Sequence, residues 1–365
     1  MAFRLAKASA DAAAIVGQTM AKYTIYLPPP QAIEAVGMGE TSRVAAAALD
    51  VLLAHAPEGD LEVLAEQLAP LAVPILERWQ AQAAEPDTPG SLSDREAEYD
   101  AYFHVHRVSA PDPLEAYCEA VIVAYYRMIR ESLKGTSLQP MEIGHLCASI
   151  EDILHQFSGR RRPKSWNATP QLAAPPAEAG APDGALGRWV LGHHAFFVLV
   201  QALLMAHRWL SEALANRDVP RAREALAIST QLWWATAASF RFTGDFSNDD
   251  YNNIVRPTMA PPFVQDGFSG LFFEEHARLI RTLKSIRPAL RALPPKLARS
   301  HRLYLWALAT AYESHAFVCE RFVDQGASLN AAHKRKLASA TQTIRGQYKG
   351  RALESAGSPS RSKRR

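Results

Sequence analysis

From Trp189 to Leu210 the chain reads WVLGHHAFFVLVQALLMAHRWL, and this nearly unbroken apolar run limits what the protein can become. A segment so long and so poor in charge must leave water, either across a bilayer or inside a folded core. Its interruptions at His193, His194, Gln201 and His207 favour a buried core helix over a membrane span.

Around this run the hydrophobic period is helical throughout. No stretch of alternating β-branched residues stands out, so the expected fold is all-α, a multi-helix bundle. Residues 41–56 and 60–83 are rich in Ala, Leu and Glu, which lose little side-chain entropy in a helix. After a polar break at 85–94, a second helical block runs over 112–157, split by KGTSLQP at 134–140. Further helices are expected at 188–216, 220–241, 272–291 and 295–324. Two long segments lack the pattern. In 158–187 Pro, Gly and Ala displace periodic apolar residues, and 243–270 is a 28-residue stretch of a length that is usually functional inside a domain. The expected organisation is an N-terminal helical region (1–157), a linker or loop (158–187), a C-terminal helical region (188–349) and a disordered basic tail (350–365).

Charge and cysteine content narrow the partners. The formal net charge is +3, but the terminal RSKRR carries Arg361, Lys363, Arg364 and Arg365, leaving the body near −1. That body lacks the basic face that phosphate binding needs, so no nucleic-acid partner is expected. The cluster Arg160, Arg161, Arg162 and Lys164 reads as a solvated loop. Cys118, Cys147 and Cys319 are odd in number and widely spaced, which fits a reducing cytoplasm and no disulfide framework. The opening MAFRLAKASADAAAIVG is broken by Lys7 and Asp11 and makes a poor secretory signal.

The chemistry concentrates in AYESHAFVCERFV, residues 311–323. His315 and Cys319 stand four apart, so on a helix they share a face, separated by about one turn or roughly 6 Å of rise. A core histidine beside a buried free cysteine is the ordinary reading. Structural zinc would need two more ligands at paired spacings, which Cys118 and Cys147 do not offer. A nucleophilic thiol wants an electropositive, accessible setting, whereas Cys319 is flanked by Phe317, Val318 and Phe322. Haem would use both residues: the imidazole as axial ligand and the thiol to reach a vinyl group at the rim. The aromatic surroundings are present, since Trp189, Trp209, Trp233, Trp234 and Trp306 are five of the seven tryptophans. The two-cysteine attachment C-x-x-C-H is absent, which leaves a single attachment in reversed order. A second ligand must come from another helix, and His276 in LFFEEHARLIRTLKSI, directly after the long loop, can face His315 from an antiparallel neighbour.

His276, a 38-residue spacer and then His315-Ala-Phe-Val-Cys319 resemble the H-x(n)-H-x-x-x-C haem signature of the histidine-ligated haem-dependent aromatic oxygenases, relatives of tryptophan 2,3-dioxygenase. Within them the pattern is similar to the 3-methyl-L-tyrosine hydroxylases of saframycin-type tetrahydroisoquinoline antibiotic biosynthesis. The resemblance implies an all-helical chain and a haem in the 188–349 region. The haem would be joined through one thioether at Cys319 and ligated by His315 and His276. The implied reaction uses hydrogen peroxide, or oxygen with a reductant, to hydroxylate 3-methyl-L-tyrosine ortho to its phenol, giving 3-hydroxy-5-methyl-L-tyrosine. Six-coordinate iron cannot bind peroxide, so one histidine must leave. His276, at the end of a glycine-containing loop, is the expected one, and it is then the catalytic acid/base.

The substrate carboxylate wants an arginine fork, and Arg256 is the only arginine in the long loop. Its ordinary alternative is an ion pair with Asp245, Asp249 or Asp250. Tyr251 and Asn252 are further candidates. Only one of Trp233 and Trp234 can face a ligand, because neighbours on a helix point about 100° apart. Of His193 and His194, either a haem contact or a core hydrogen bond is open. The other readings are a haem oxygenase acting on L-tyrosine or another aromatic, a bis-histidine electron-transfer or sensor protein, and a helical binding protein without cofactor. The N-terminal region either covers the haem or forms a homo-oligomer interface. No membrane partner is expected.

Overall fold

Helix boundaries follow local capping chemistry. Asp112 accepts hydrogen bonds from the Leu114 and Glu115 N–H groups at 3.0 and 3.1 Å, and Pro113 takes a first-turn position where no donor is needed. Ser93 and Glu96 form a reciprocal capping box, and Asp218 caps the helix that begins beside Pro220. The structure is a computed structural model and describes residues 22–54, 61–82, 93–160, 182–268, 270 and 273–323. The expected tail at 350–365, the N-terminal stretch read for a signal, most of the expected linker and the positions Arg161, Arg162 and Lys164 lie outside them.

The elements in chain order are β1 (Ile25–Leu27), α1 (Pro30–Glu34), α2 (Arg43–Ala54), α3 (Leu61–Gln82), α4 (Asp94–Tyr102), β2 (Val105–Arg107), α5 (Pro113–Ser132), α6 (Pro140–Phe157), α7 (Pro182–Ala215), α8 (Val219–Thr243), α9 (Glu274–Arg291) and α10 (Ala298–Val323). The all-α expectation holds. The strands form one short parallel pair, Ile25 opposite Val105, that ties the start of the described chain to the segment after α4.

Two helices were longer or more numerous than the periodicity suggested. α7 starts at Pro182 rather than 188, because Pro suits a first turn and the Ala/Gly-rich residues behind it are sterically permissive. Helix α4 follows the polar break at 85–94 as a capped, mostly polar helix with little apolar period to read. The long segment 243–270 is not pattern-free either. Ser247 caps a helical turn at Asn248–Asp250, a π-helical turn follows at Tyr251–Val255, and Arg256–Thr258 resumes the α form. Such π turns recur at functional sites.

The apolar run becomes the centre of the molecule. α7 and α8 pack as an antiparallel pair, α9 packs on α7, α10 packs on α8, and α5 and α6 cover them from the other side. Among the described residues one helix, Gly184–Ala215, is long and apolar enough to cross a membrane, and 83% of its apolar window is buried within the protein. Each fully buried Leu, Val or Phe there contributes roughly 1.5–3 kcal/mol. Its polar interruptions find partners. The His194 Nε2–H donates to the Phe103 carbonyl at 2.7 Å, Gln201 Nε2 donates to Pro28 O and to Glu275, and His207 bridges Leu203 O and the Tyr304 hydroxyl.

Close approach of these helices requires two glycines. A Cβ on Gly192 would sit 2.7 Å from the Thr243 Cα and closer still to its hydroxyl, so α7 touches the end of α8 only because no side chain intervenes. A Cβ on Gly244 would meet Val318 at 2.9 Å and Phe322 at 3.0 Å on α10. Gly192→Ala is expected to lower the unfolding free energy by about 1–3 kcal/mol in a urea titration. Gly184→Ala, in the same helix but facing open space, is expected to be neutral or slightly stabilising.

Burial also sets a pH dependence. It pushes the His194 pKa down to about 3 and that of His207 down to about 4, so both are neutral in the folded chain. Unfolded, each titrates near about 6.5. Below that pH the unfolded chain binds more protons, so the stability these residues contribute is complete above pH ~6.5 and is lost as the pH falls toward their folded values. The denaturation midpoint is expected to fall between pH 7 and pH 5; a flat midpoint would contradict the assignment.

Candidate active site

The site begins with an acidic residue on an apolar stripe. In α9, Glu275, Leu279, Leu283, Ile286 and Leu290 recur at helical spacing and all are buried, and Glu275 is 0% exposed. A carboxylate cannot stay there unpaired. The Arg107 guanidinium donates to both Glu275 oxygens, Gln201 adds a hydrogen bond at 3.0 Å, and Asp100 completes the cluster by accepting from Arg107 at 2.7 and 3.0 Å. Burial pushes the Asp100 carboxyl up to about 6, with Arg107 opposing. This cluster pins the first turn of α9 to β2, α4 and α7, and His276 is the next residue.

His276 opens into a narrow cleft of about 40 Å³ between four helices. Its walls include Phe196 of α7, Phe240 of α8, Ile280 of α9, Ala311 of α10 and, opposite His276, His315 of α10. The two histidines expected to act together therefore share one concavity. The His315 ring lies flat against Phe240, with centroids 4.7 Å apart and planes 13° apart. Burial holds its pKa down to about 4, so it is a neutral imidazole with an available lone pair.

Cys319 lies one turn further along α10, beside the cleft rather than in its wall. Burial pushes its thiol up to about 11, with Glu320 adding to the effect, so it is no thiolate nucleophile. Tyr251, from the π turn, packs nearby: its ring stacks on Phe322 at 4.5 Å. Burial raises the Tyr251 phenol, the Arg256 charge lowers it and Cys319 raises it, which sets all three in one neighbourhood.

Arg256 is partly buried. Asp245 is engaged by Arg188, Thr136 and Ser137, and Asp250 by Ser247, so neither of these proposed ion-pair partners is committed to Arg256. Asn252 is exposed and bonds back to Asn248. Trp233 lines the cleft, while Trp234 stacks on His145 and meets Trp306 edge to face away from it. His194 is a core residue. His193 stacks on Phe103 at 4.2 Å, and its Nδ1–H donates to the Trp189 carbonyl at 2.6 Å. Cys118 and Cys147 are free, buried and raised to about 12. No cluster of three or more His, Cys, Asp or Glu able to hold a metal ion exists among the described residues.

Sequence reasoning missed the Arg107–Glu275–Asp100–Gln201 cluster. Its signal was available: a glutamate in register with the apolar stripe of α9 demands a buried cation. Which arginine supplies it, 168 residues away, was not.

The class these features define is an all-helical protein in which imidazoles from two helices line one aromatic cleft, with a thiol one turn beyond one of them. Residues 27–300 match the sequence model of the SfmD 3-methyl-L-tyrosine peroxygenase family, and the chain belongs to that family. His276 falls inside the matched region; His315 and Cys319 follow it. The chain is 36% identical over 176 residues to a 3-methyl-L-tyrosine peroxygenase of Streptomyces lavendulae, a match covering 46% of this chain and 48% of that protein. It thus spans about half the length of that curated relative. Its fold corresponds to the crystal structure of reduced SfmD obtained by soaking with sodium hydrosulfite, with a TM-score of 0.66 and 25% identity over 82% of this chain and 98% of the other.

Arg107→Ala would leave Glu275 buried without its cation. The expected cost is about 3–5 kcal/mol of stability in chemical denaturation. A loss under about 1 kcal/mol would show that the cluster does not hold α9.

Proposed function

We propose that this protein is a haem-dependent aromatic hydroxylase acting on 3-methyl-L-tyrosine, with hydrogen peroxide, or oxygen plus a reductant, as oxidant. The observation that carries this reading is that His276 and His315, from different helices, open into the same aromatic cleft with Cys319 one turn beyond. Family membership supports the reaction class. The donor set suits haem: two imidazoles for iron, apolar and aromatic walls for a flat ring, and a protonated thiol one turn from His315 that would take a vinyl group at the rim. His276 and His315 would hold the haem, which would supply cleavage of the peroxide O–O bond and oxygen transfer to the ring.

The chain's residues have separate tasks. His315, pressed against Phe240 and one turn from the thioether site at Cys319, is the ligand that stays. His276 sits in the first turn of α9, directly after the long loop, and would be the ligand able to give way. Once free, its imidazole can take a proton from peroxide and return it to the departing oxygen. Arg256 would hold the amino-acid carboxylate; it does not line the cleft itself, and its charge, like that of Cys319, acts on Tyr251. The partners are then small molecules, in the cytoplasm, with residues 188–349 as the haem-binding region.

Intact mass of the protein expressed with ample haem is the test. It is expected to exceed the chain mass by one haem. The pigment should resist acid–acetone extraction and become extractable in Cys319→Ala. Adding peroxide and 3-methyl-L-tyrosine should give a product heavier by one oxygen, and His315→Ala should lose the pigment. A colourless wild-type protein would refute the proposal, and a pigmented one that leaves the substrate unchanged would refute the hydroxylase assignment.

A further inference from the structure

The cleft touches a second set of aromatic residues that hydroxylation does not use. Trp233 lines the cleft on one side and is buried. Its indole N–H has no hydrogen-bond partner and is turned toward the Tyr304 hydroxyl. Tyr304 is fully buried and bonded at 2.8 Å to His207. The direction of that bond follows from the other ring nitrogen. His207 Nδ1 lies 2.6 Å from the Leu203 carbonyl, which can only accept, so Nδ1 carries the proton and Nε2 accepts from the Tyr304 O–H. A buried phenol is thus paired with a ready proton acceptor.

The next residue leads outward. Trp234 meets Trp306 edge to face, with centroids 4.9 Å apart, and Trp306 is 62% exposed. Trp306 thus carries the aromatic contact of Trp234 out to solvent. From the cleft to solvent, Trp233 is followed through the α8 backbone by Trp234 and then by Trp306, with His207 and Tyr304 as a buried branch from Trp233.

We propose that these five residues form a redox relay that delivers electrons to the cleft when peroxide reacts there without an aromatic substrate. The proposal rests on the haem assignment above. Tyr and Trp are the side chains most readily oxidised by one electron, and a phenol gives up its electron easily only when its proton has somewhere to go. In the balanced step, hydrogen peroxide takes up two electrons and two solvent protons, its O–O bond breaks, and two waters form. One electron leaves Tyr304, whose O–H proton moves to His207 Nε2. The other leaves Trp306, whose N–H proton passes to solvent. A small reductant such as ascorbate then returns one electron to each residue, while Tyr304 recovers its proton from His207 and Trp306 regains one from water. The relay spares the cofactor and the cleft side chains from oxidation.

The holoenzyme, mixed with peroxide in the absence of substrate, tests this. Freeze-quench electron paramagnetic resonance is expected to show a tyrosyl signal that Tyr304→Phe removes. A nitroso spin trap followed by peptide mapping should place an adduct on Trp306. In Trp306→Phe that adduct disappears and the pigment bleaches several-fold faster per peroxide equivalent, with hydroxylation of 3-methyl-L-tyrosine unchanged. Leu303→Ala, another exposed α10 position, should bleach like the wild type. A pigmented, hydroxylating enzyme with no adduct on Trp306 and the same bleaching rate in Trp306→Phe would overturn the relay alone. Protein without pigment would overturn the haem assignment with it.

Discussion

Glu275 is wholly buried, and what makes its burial tolerable is the Arg107 guanidinium, which donates to both of its carboxylate oxygens. The position of α9 depends on that pair. Asp100 and Gln201 extend the cluster into α4 and α7, so the helix bearing His276 is seated by three separate parts of the chain. A buried ion cluster adds little net stability compared with apolar packing, but it enforces one register, because any shift of α9 would strand a charge. The facing geometry of His276 and His315 is a consequence of that register.

The opposite wall is set by shape instead of charge. Gly192 and Gly244 let α7, α8 and α10 meet without intervening side chains, which brings Phe240 flat against His315 and draws the Cys319 end of α10 toward the π turn. Histidines in this core have distinct fates. His194 and His207 answer backbone carbonyls, His207 also accepting from the Tyr304 hydroxyl, His193 is wedged among Phe103 and Trp189, and His315 alone of these presents its ring to the cleft.

Much of this was written in local pattern. The apolar run at 189–210, the capped helix starts and the i, i+4 spacing of His315 and Cys319 depend on near neighbours, and the helices appear where those signals lie. The H-x(n)-H-x-x-x-C pattern brought together two residues that the structure sets across one cleft. What escaped was non-local. Three-residue strands carry too few side chains for an alternating pattern, and α4 gains its place from its capping box and from contacts outside it. The Arg107–Glu275 pairing joins residues 168 positions apart, and only the glutamate's place on an apolar stripe hinted at it. Arg256 and Tyr251 were singled out for their chemistry, and burial together with the charges of Arg256 and Cys319 shifts the Tyr251 phenol.

The central claim is that both imidazoles of this cleft ligate one iron. Pulsed electron paramagnetic resonance on ferric protein grown with ¹⁵N-histidine tests it most directly. Two axial histidine nitrogens are expected in the wild type and a single one in His276→Ala. Two couplings persisting in that variant, or none in the wild type, would contradict the account.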